Sequence, residues 1–234
     1  MKLFALAFGA HPDDVEMSCG GTLAMLGKSG YKFGIVDLTR GEMGTRGNAV
    51  IRAKEAAEAA KILGAELRVN LRIPDSGIQV NHANIMKVVE VIRRFRPDVV
   101  FAPYREERHP DHVHTHQLVR EAIFYSGLRK LKTGKLDAFR PRKSFYYMQH
   151  TPFSPMLYVD ISEFYDIKMA AIKAHRSQFY DPTSKDPETI LSTPEFLEYL
   201  NGRMKYFGQL GGVSYAEPFW TTEPITLRNF SSII

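Results

Sequence analysis

Two short runs hold the residues best able to do chemistry: Ala10-His11-Pro12-Asp13-Asp14 near the start, and Arg108-His109-Pro110-Asp111-His112 in mid-chain. Each sets imidazole beside carboxylate around a proline. A catalytic zinc takes three nitrogen or oxygen ligands from the protein and keeps a fourth position for water. His11 and Asp14 stand three residues apart across Pro12, so both side chains can face one point, and His112 can add a nitrogen from the opposing run. Asp13 then points elsewhere and becomes a candidate general base for the attacking water. His109 is left over. With Asp111 close by, it is a candidate imidazolium that would stabilise an oxyanion or hand a proton to a leaving amine. Either run alone also reads as a polar loop in which Asp caps a helix.

The elements that must position these runs decide between the two readings. Apolar, β-rich segments alternate with stretches of helical period, the pattern of βαβ units and a parallel sheet. Strands are expected at Leu3 to Gly9, Lys32 to Leu38, Leu67 to Leu71, Asp98 to Pro103, Lys143 to Gln149 and Leu157 to Asp160. Helices are expected at Val15 to Ser29, Arg52 to Leu63, Asn84 to Phe95, His112 to Phe124, Ser162 to Arg176 and Glu195 to Phe207, with a loop over 181–192. The expected fold is α/β: a Rossmann-like, doubly wound, mostly parallel sheet with helices on both faces, forming a single domain over 1–234. In the doubly wound order 3-2-1-4, strands one and four are neighbours, and their carboxyl ends flank the crevice where such folds bind ligands. The two His-Pro-Asp runs follow those two strands. Segments about 100 residues apart in sequence therefore converge, which favours a metal site over two unrelated loops.

Composition narrows the function classes. The chain has 234 residues, 44% hydrophobic and 24% charged, and no apolar run nears the ~20 residues of a membrane span. A net charge of +5 with no block of like charge excludes a basic nucleic-acid stripe but leaves an anionic small substrate open. One cysteine, Cys19, and no cleavable leader point to the cytoplasm. A nucleotide-binding module would need a phosphate fingerprint after the first strand. Gly9 to Asp14 instead puts carboxylates where a pyrophosphate would sit.

AHPDDVEMSCGGTLA and RHPDH resemble the zinc-dependent deacetylases of the LmbE and PIG-L family, which remove acetyl from N-acetylglucosaminyl conjugates. The resemblance extends to TRGEMGTRG at 39–47, Arg52 with Glu55, 71–77, AHRSQ at 174–178 and YAEPF at 215–219. It implies a Zn2+ enzyme with His11, Asp14 and His112 as ligands, Asp13 as base, and His109 with Asp111 as a charge-stabilising pair. Within the family the flanking segments look most like enzymes acting on N-acetylglucosaminyl malate in bacillithiol biosynthesis, with chitobiose-type and inositol conjugates as the alternatives. A homo-oligomer, trimer or hexamer, is a further implication.

Substrate-binding candidates are arginines. Arg40, Arg46 and Arg52 surround a glycine-rich loop after the second strand, where guanidinium can grip carboxylate or phosphate at two points. Arg52 is the first choice, with Arg46 beside it, and Arg108 flanks the second run. His175 reads as a hydrogen-bonded structural histidine, and Cys19 as buried packing.

Overall fold

The computed structural model describes residues 1–226; residues 227–234, the end of the expected domain, lie outside the described residues. Ala5–Gly9 and Phe33–Asp37 are buried along their whole length, as strands covered on both faces must be. They are β1 and β2. β3 (Leu67–Asn70), β4 (Val99–Pro103), β5 (Lys143–Tyr147), β6 (Leu157–Asp160) and β7 (Ala216–Trp220) complete one sheet of order β3-β2-β1-β4-β5-β7-β6. Pairing is parallel from β3 through β5, while β7 runs antiparallel to both β5 and β6. The expected 3-2-1-4 order is present, with β1 beside β4.

The helices are α1 (Asp14–Lys28), α2 (Ala49–Leu63), α3 (His82–Phe95), α4 (Pro110–Ser126), α5 (Tyr165–Ala174) and α6 (Pro194–Gly211). One apolar cluster, including Val15, Leu23, Leu63, Ile172 and Leu200, joins α1, α2, α5 and α6 to one sheet face. A second, with Val88, Ile92, Leu118 and Val119, joins α3 and α4 to the other. Caps explain why α2 starts earlier than its apolar period suggests. The Asn48 side chain accepts the Val50 and Ile51 N–H groups, and Gly64 ends the helix at φ 79°.

Two elements differ from expectation. β7 was not anticipated, because Pro218 interrupts its apolar run and proline weakens a strand signal. The sheet tolerates it because β5 pairs only with Phe219 and Trp220, past the proline. Helix α1 is not continuous: Cys19 has φ −131° and ψ 16°, which splits it in the core. The groups freed at the break are bound by distant side chains. Met17 C=O accepts Lys168 Nζ and Arg203 Nη2, both at 3.0 Å. Glu217 of β7 accepts the N–H of Gly21 at 2.9 Å and of Thr22 at 2.8 Å, and also pairs with Lys168. Orphan carbonyls thus meet cations and orphan amides meet an anion, as the helix dipole requires.

Gly21 makes this packing possible. A Cβ there would lie 2.8–2.9 Å from side-chain atoms of Ile161. Gly21→Ala gains up to about 1 kcal/mol of helix propensity but overpacks the core by about 1 to 3 kcal/mol. A lowered urea midpoint is expected; an unchanged or raised midpoint would mean that Ile161 yields freely.

Candidate active site

The site is built where β1 and β4 end. Gly9 closes β1, and a Cβ on it would come within 3.1 Å of Asp14 Cβ, so its bareness lets the Asp14 carboxylate fold back over the strand end. Asp13 takes φ 122°, a conformation that costs a side-chain-bearing residue about 1 to 3 kcal/mol and persists only where the surroundings impose it. Here they do. Arg52 Nη2 donates to Pro12 C=O at 2.6 Å and to Asp13 Oδ2 at 3.0 Å, and Nη1 donates to Gly41 C=O at 3.2 Å. Gly41 itself has φ 65°, and a Cβ on it would sit 2.0 Å from Arg52 Nη1. The two adjacent carboxylates are thereby parted, Asp13 toward Arg52 and Asp14 toward the histidines.

After β4, His109 caps α4 and Pro110 fixes its first position, which places Asp111 and His112 in the first turn. Asp14 Oδ1 lies 3.3 Å from His112 Nε2, and Asp14 Oδ2 lies 3.6 Å from His11 Nδ1. One ligand atom from each of His11, Asp14 and His112 falls within 4.8 Å of the others. Both ring nitrogens of His112 are buried without a hydrogen-bond partner among the described residues. A buried imidazole left in that state, facing a carboxylate and a second imidazole, fits a metal ion. One ligand atom from each of His11, His109 and Asp111 also falls within 4.8 Å of the others, but Asp111 already accepts the N–H groups of Ser76 at 2.8 Å and Ile78 at 3.3 Å.

Electrostatics separate the carboxylates. Burial pushes Asp13 up to about 6 against the opposing pull of Arg52. Asp14 is buried too, yet His112 and His11 hold it well below the usual carboxylate range. Burial would lower His11, but Asp111, Asp14 and Asp75 together raise it well above the usual imidazole value.

His109 departs from its expected state. Burial, followed by the nearby charges of His11 and His112, lowers it. Its Nδ1 accepts the Asp111 N–H at 3.1 Å, which leaves Nε2 as the ring's donor. Where a charged pair with the Asp111 carboxylate was expected, His109 meets Asp111 through the backbone N–H, and that carboxylate is held by Ser76 and Ile78 with one oxygen 3.6 Å from His11 Nε2.

His11, Asp13, Asp14, His109 and His112 line a cavity of about 210 Å³ that also reaches Met43, Arg46, Arg52, Arg108 and Gln178. The structure therefore brings all three expected ligands, Asp13 and His109 together on one cavity. Residues 6–123 match the family described as PIG-L, GlcNAc-PI de-N-acetylase. The chain belongs to the PIG-L family. It is 32% identical over 227 residues to a diacetylchitobiose deacetylase of Thermococcus kodakarensis, covering 91% of this chain and 80% of that one. It is 27% identical to a probable N-acetyl-alpha-D-glucosaminyl L-malate deacetylase 2 of Bacillus cereus, over 76% of this chain and 84% of that one. A conserved protein from Thermus thermophilus superposes with a TM-score of 0.88 at 41% identity, over 97% of this chain and 98% of that chain.

This PIG-L member is a hydrolytic N-deacetylase, and two residues that the sequence did not mark contact its site, Asp75 on the cavity wall and Gln149 behind Asp14. Asp75 Oδ1 lies 3.1 Å from His11 Nε2 and its Oδ2 accepts the Met43 N–H at 2.9 Å, tying the glycine-rich loop to His11. Its only signal was a place within the 71–77 segment. Gln149, just beyond β5, donates to Asp14 Oδ1 at 2.8 Å. Nothing in its neighbourhood marked it except position at the carboxyl end of the strand next to β4. Among the arginines, Arg52 borders the cavity with its guanidinium held by Asp13 and two carbonyls, Arg46 is buried on the wall, and Arg108 is exposed at it. His175 is fully buried with Nε2 3.2 Å from Glu16 Oε1, in a chain that continues through Arg68 to Asp37.

Proposed function

We propose that this enzyme is a zinc-dependent hydrolase that removes the acetyl group from an N-acetylglucosaminyl conjugate, the malate conjugate of bacillithiol biosynthesis being its substrate. The observation that carries this reading is the meeting of His11, Asp14 and His112, with His112 buried and unbonded, beside a separately held Asp13 on one cavity. His11, Asp14 and His112 hold the ion, which when bound acidifies water and polarises the acetyl carbonyl. Asp13 accepts a proton from the attacking water; a base poised near 6 both takes a proton and gives it back close to neutrality. The water oxygen bonds to the carbonyl carbon, and the neutral His109 donates from Nε2 to the oxyanion that develops. The C–N bond then breaks, and Asp13 returns its proton to the leaving amine, so that acetate and a glucosaminyl conjugate result.

Arg52 acts through Asp13 by holding it in its strained conformation, and Asp111 acts through His11. Arg46 and Arg108 face the substrate. The malate assignment draws on the flanking segments noted in the sequence and on the Bacillus cereus relative. The family resemblance supports a cytoplasmic homo-oligomer, and no described helix is long and apolar enough to cross a membrane.

The test is acetate release from N-acetylglucosaminyl malate, N,N'-diacetylchitobiose and an N-acetylglucosaminyl inositol. Release is expected to be fastest from the malate conjugate, abolished by a chelator and restored by zinc. No release from any of the three by zinc-loaded protein would overturn the function, and release that survives complete metal removal would overturn the metal.

A further inference from the structure

Buried cations in this protein are matched. Arg52 meets Asp13, Arg68 meets Asp37 and Glu16, Lys168 meets Glu217, and Arg93 donates to the carbonyls of Ser126, Leu128 and Leu131. Arg46 is the exception. It is 5% exposed and lines the same cavity as His11, Asp13 and His112, yet its guanidinium has neither a hydrogen bond nor an ion pair among the described residues. The exposed Asp181 lies near enough to feel its charge, though Asp181 is lowered first by Thr183 and forms no ion pair with Arg46, and a desolvated charge so weakly compensated is costly and persists where a partner arrives from outside.

Its mounting is rigid. Gly47 has φ 69°, and a Cβ on it would lie 2.6 Å from Ser177 Oγ, so the loop presses directly on the segment after α5. Ser177 N–H and Oγ–H both donate to Glu55 of α2 at 2.7 Å, and Gln178 Nε2 donates to Arg46 C=O at 2.8 Å. The backbone that carries Arg46 is thus clamped between α2 and the end of α5, while its planar fork is left free for a two-point anion contact.

We propose that Arg46 reads an anionic group, carboxylate or phosphate, carried by the aglycone, so that the enzyme selects acidic N-acetylglucosaminides over neutral ones such as diacetylchitobiose. This rests on the deacetylase reading above. It also separates this chain from what its 32% identical relative is named for. A contact made equally in ground and transition states lowers KM and leaves kcat alone, so selectivity is expected to reside in KM.

The experiment uses zinc-loaded protein and two matched pairs: N-acetylglucosaminyl malate against its dimethyl ester, and N-acetylglucosamine 1-phosphate against methyl N-acetylglucosaminide. The ratio of kcat/KM, acid over neutral, is expected to be roughly ten to a hundred in at least one pair. The pair with the larger ratio tells carboxylate from phosphate as the natural anion. Arg46→Ala and Arg46→Gln should bring that ratio to about one, and Arg46→Lys should keep part of it, since ammonium supplies charge without the fork. Each ratio is internal to one preparation, so a partly unfolded variant still reports. A ratio near one in the unaltered enzyme, or equal losses on both members of a pair in Arg46→Ala, would overturn the proposal while leaving deacetylation intact. Absence of acetate from every compound would overturn the deacetylase reading as well.

Discussion

Asp13→Ala is expected to keep its metal and lose at least about two orders of magnitude in turnover, the scale of a general base. The geometry makes the two halves of that result separable. Asp13 is turned away from the histidines by its φ of 122° and anchored to Arg52, whereas Asp14 alone among the two carboxylates approaches His11 and His112. Removing the Asp13 carboxylate leaves Arg52 buried without its anion, so the alanine variant should also melt earlier. Asp13→Asn keeps the shape and a hydrogen-bond acceptor, and is expected to show the same turnover loss with a smaller stability cost. Metal content by elemental analysis, beside kcat on the best conjugate, checks both halves. Loss of the metal from Asp13→Ala with retention in Asp14→Ala would reverse the division of labour.

His112→Ala is expected to lose the metal at micromolar concentrations and with it roughly three orders of magnitude in activity, because a catalytic ion is worth several kcal/mol in the transition state and each 1.36 kcal/mol is a factor of ten. Among the described residues the two ring nitrogens of His112 have no hydrogen-bond partner, and its one charged contact is Asp14 Oδ1 at 3.3 Å within the same site, so the substitution removes a candidate ligand with little cost to the scaffold. The fold should survive, which circular dichroism would check. The same site should be pH-dependent. Asp111, Asp14 and Asp75 together raise His11 despite its burial, so without metal its ring is protonated through neutrality. Zinc must displace that proton. As the pH falls below the raised value, apparent zinc affinity should drop by about tenfold per pH unit, and above it the dependence should flatten. Affinity that rose on acidification would contradict the ligand set.

Much of the site was legible because its signals are local. His-Pro-Asp turns at strand-to-helix junctions declare themselves in a few residues, and alternating strand and helix periods imply the parallel order that brings β1 and β4 together. Asn48 and Gly64 at the ends of α2 are of the same kind, since a cap depends on its nearest neighbours in the chain. Strand β7 was not legible, because its place between β5 and β6 comes from pairing partners about 60 to 70 residues away and its proline argues against a strand.

What the sequence by itself determined, then, is the α/β order, the two converging runs and the ligand types within them. Only the tertiary structure decided which charge meets which. Arg52, expected as a substrate grip, has its guanidinium on Asp13; Asp111, expected beside His109, has a carboxylate oxygen 3.6 Å from His11; Asp75 and Gln149 enter from segments that carry no motif of their own. The reason is the range of the forces. Helix and strand periods are properties of consecutive residues, whereas the state of a titratable group is set by whichever dipoles and charges lie within a few ångströms in a poorly polarisable interior. Those neighbours are assembled by the sheet and not by adjacency in the chain. Arg46 and Arg52 are six residues apart and alike as sequence, yet one sits on the loop without an ion pair among the described residues and the other in the first turn of α2 against the Asp13 carboxylate.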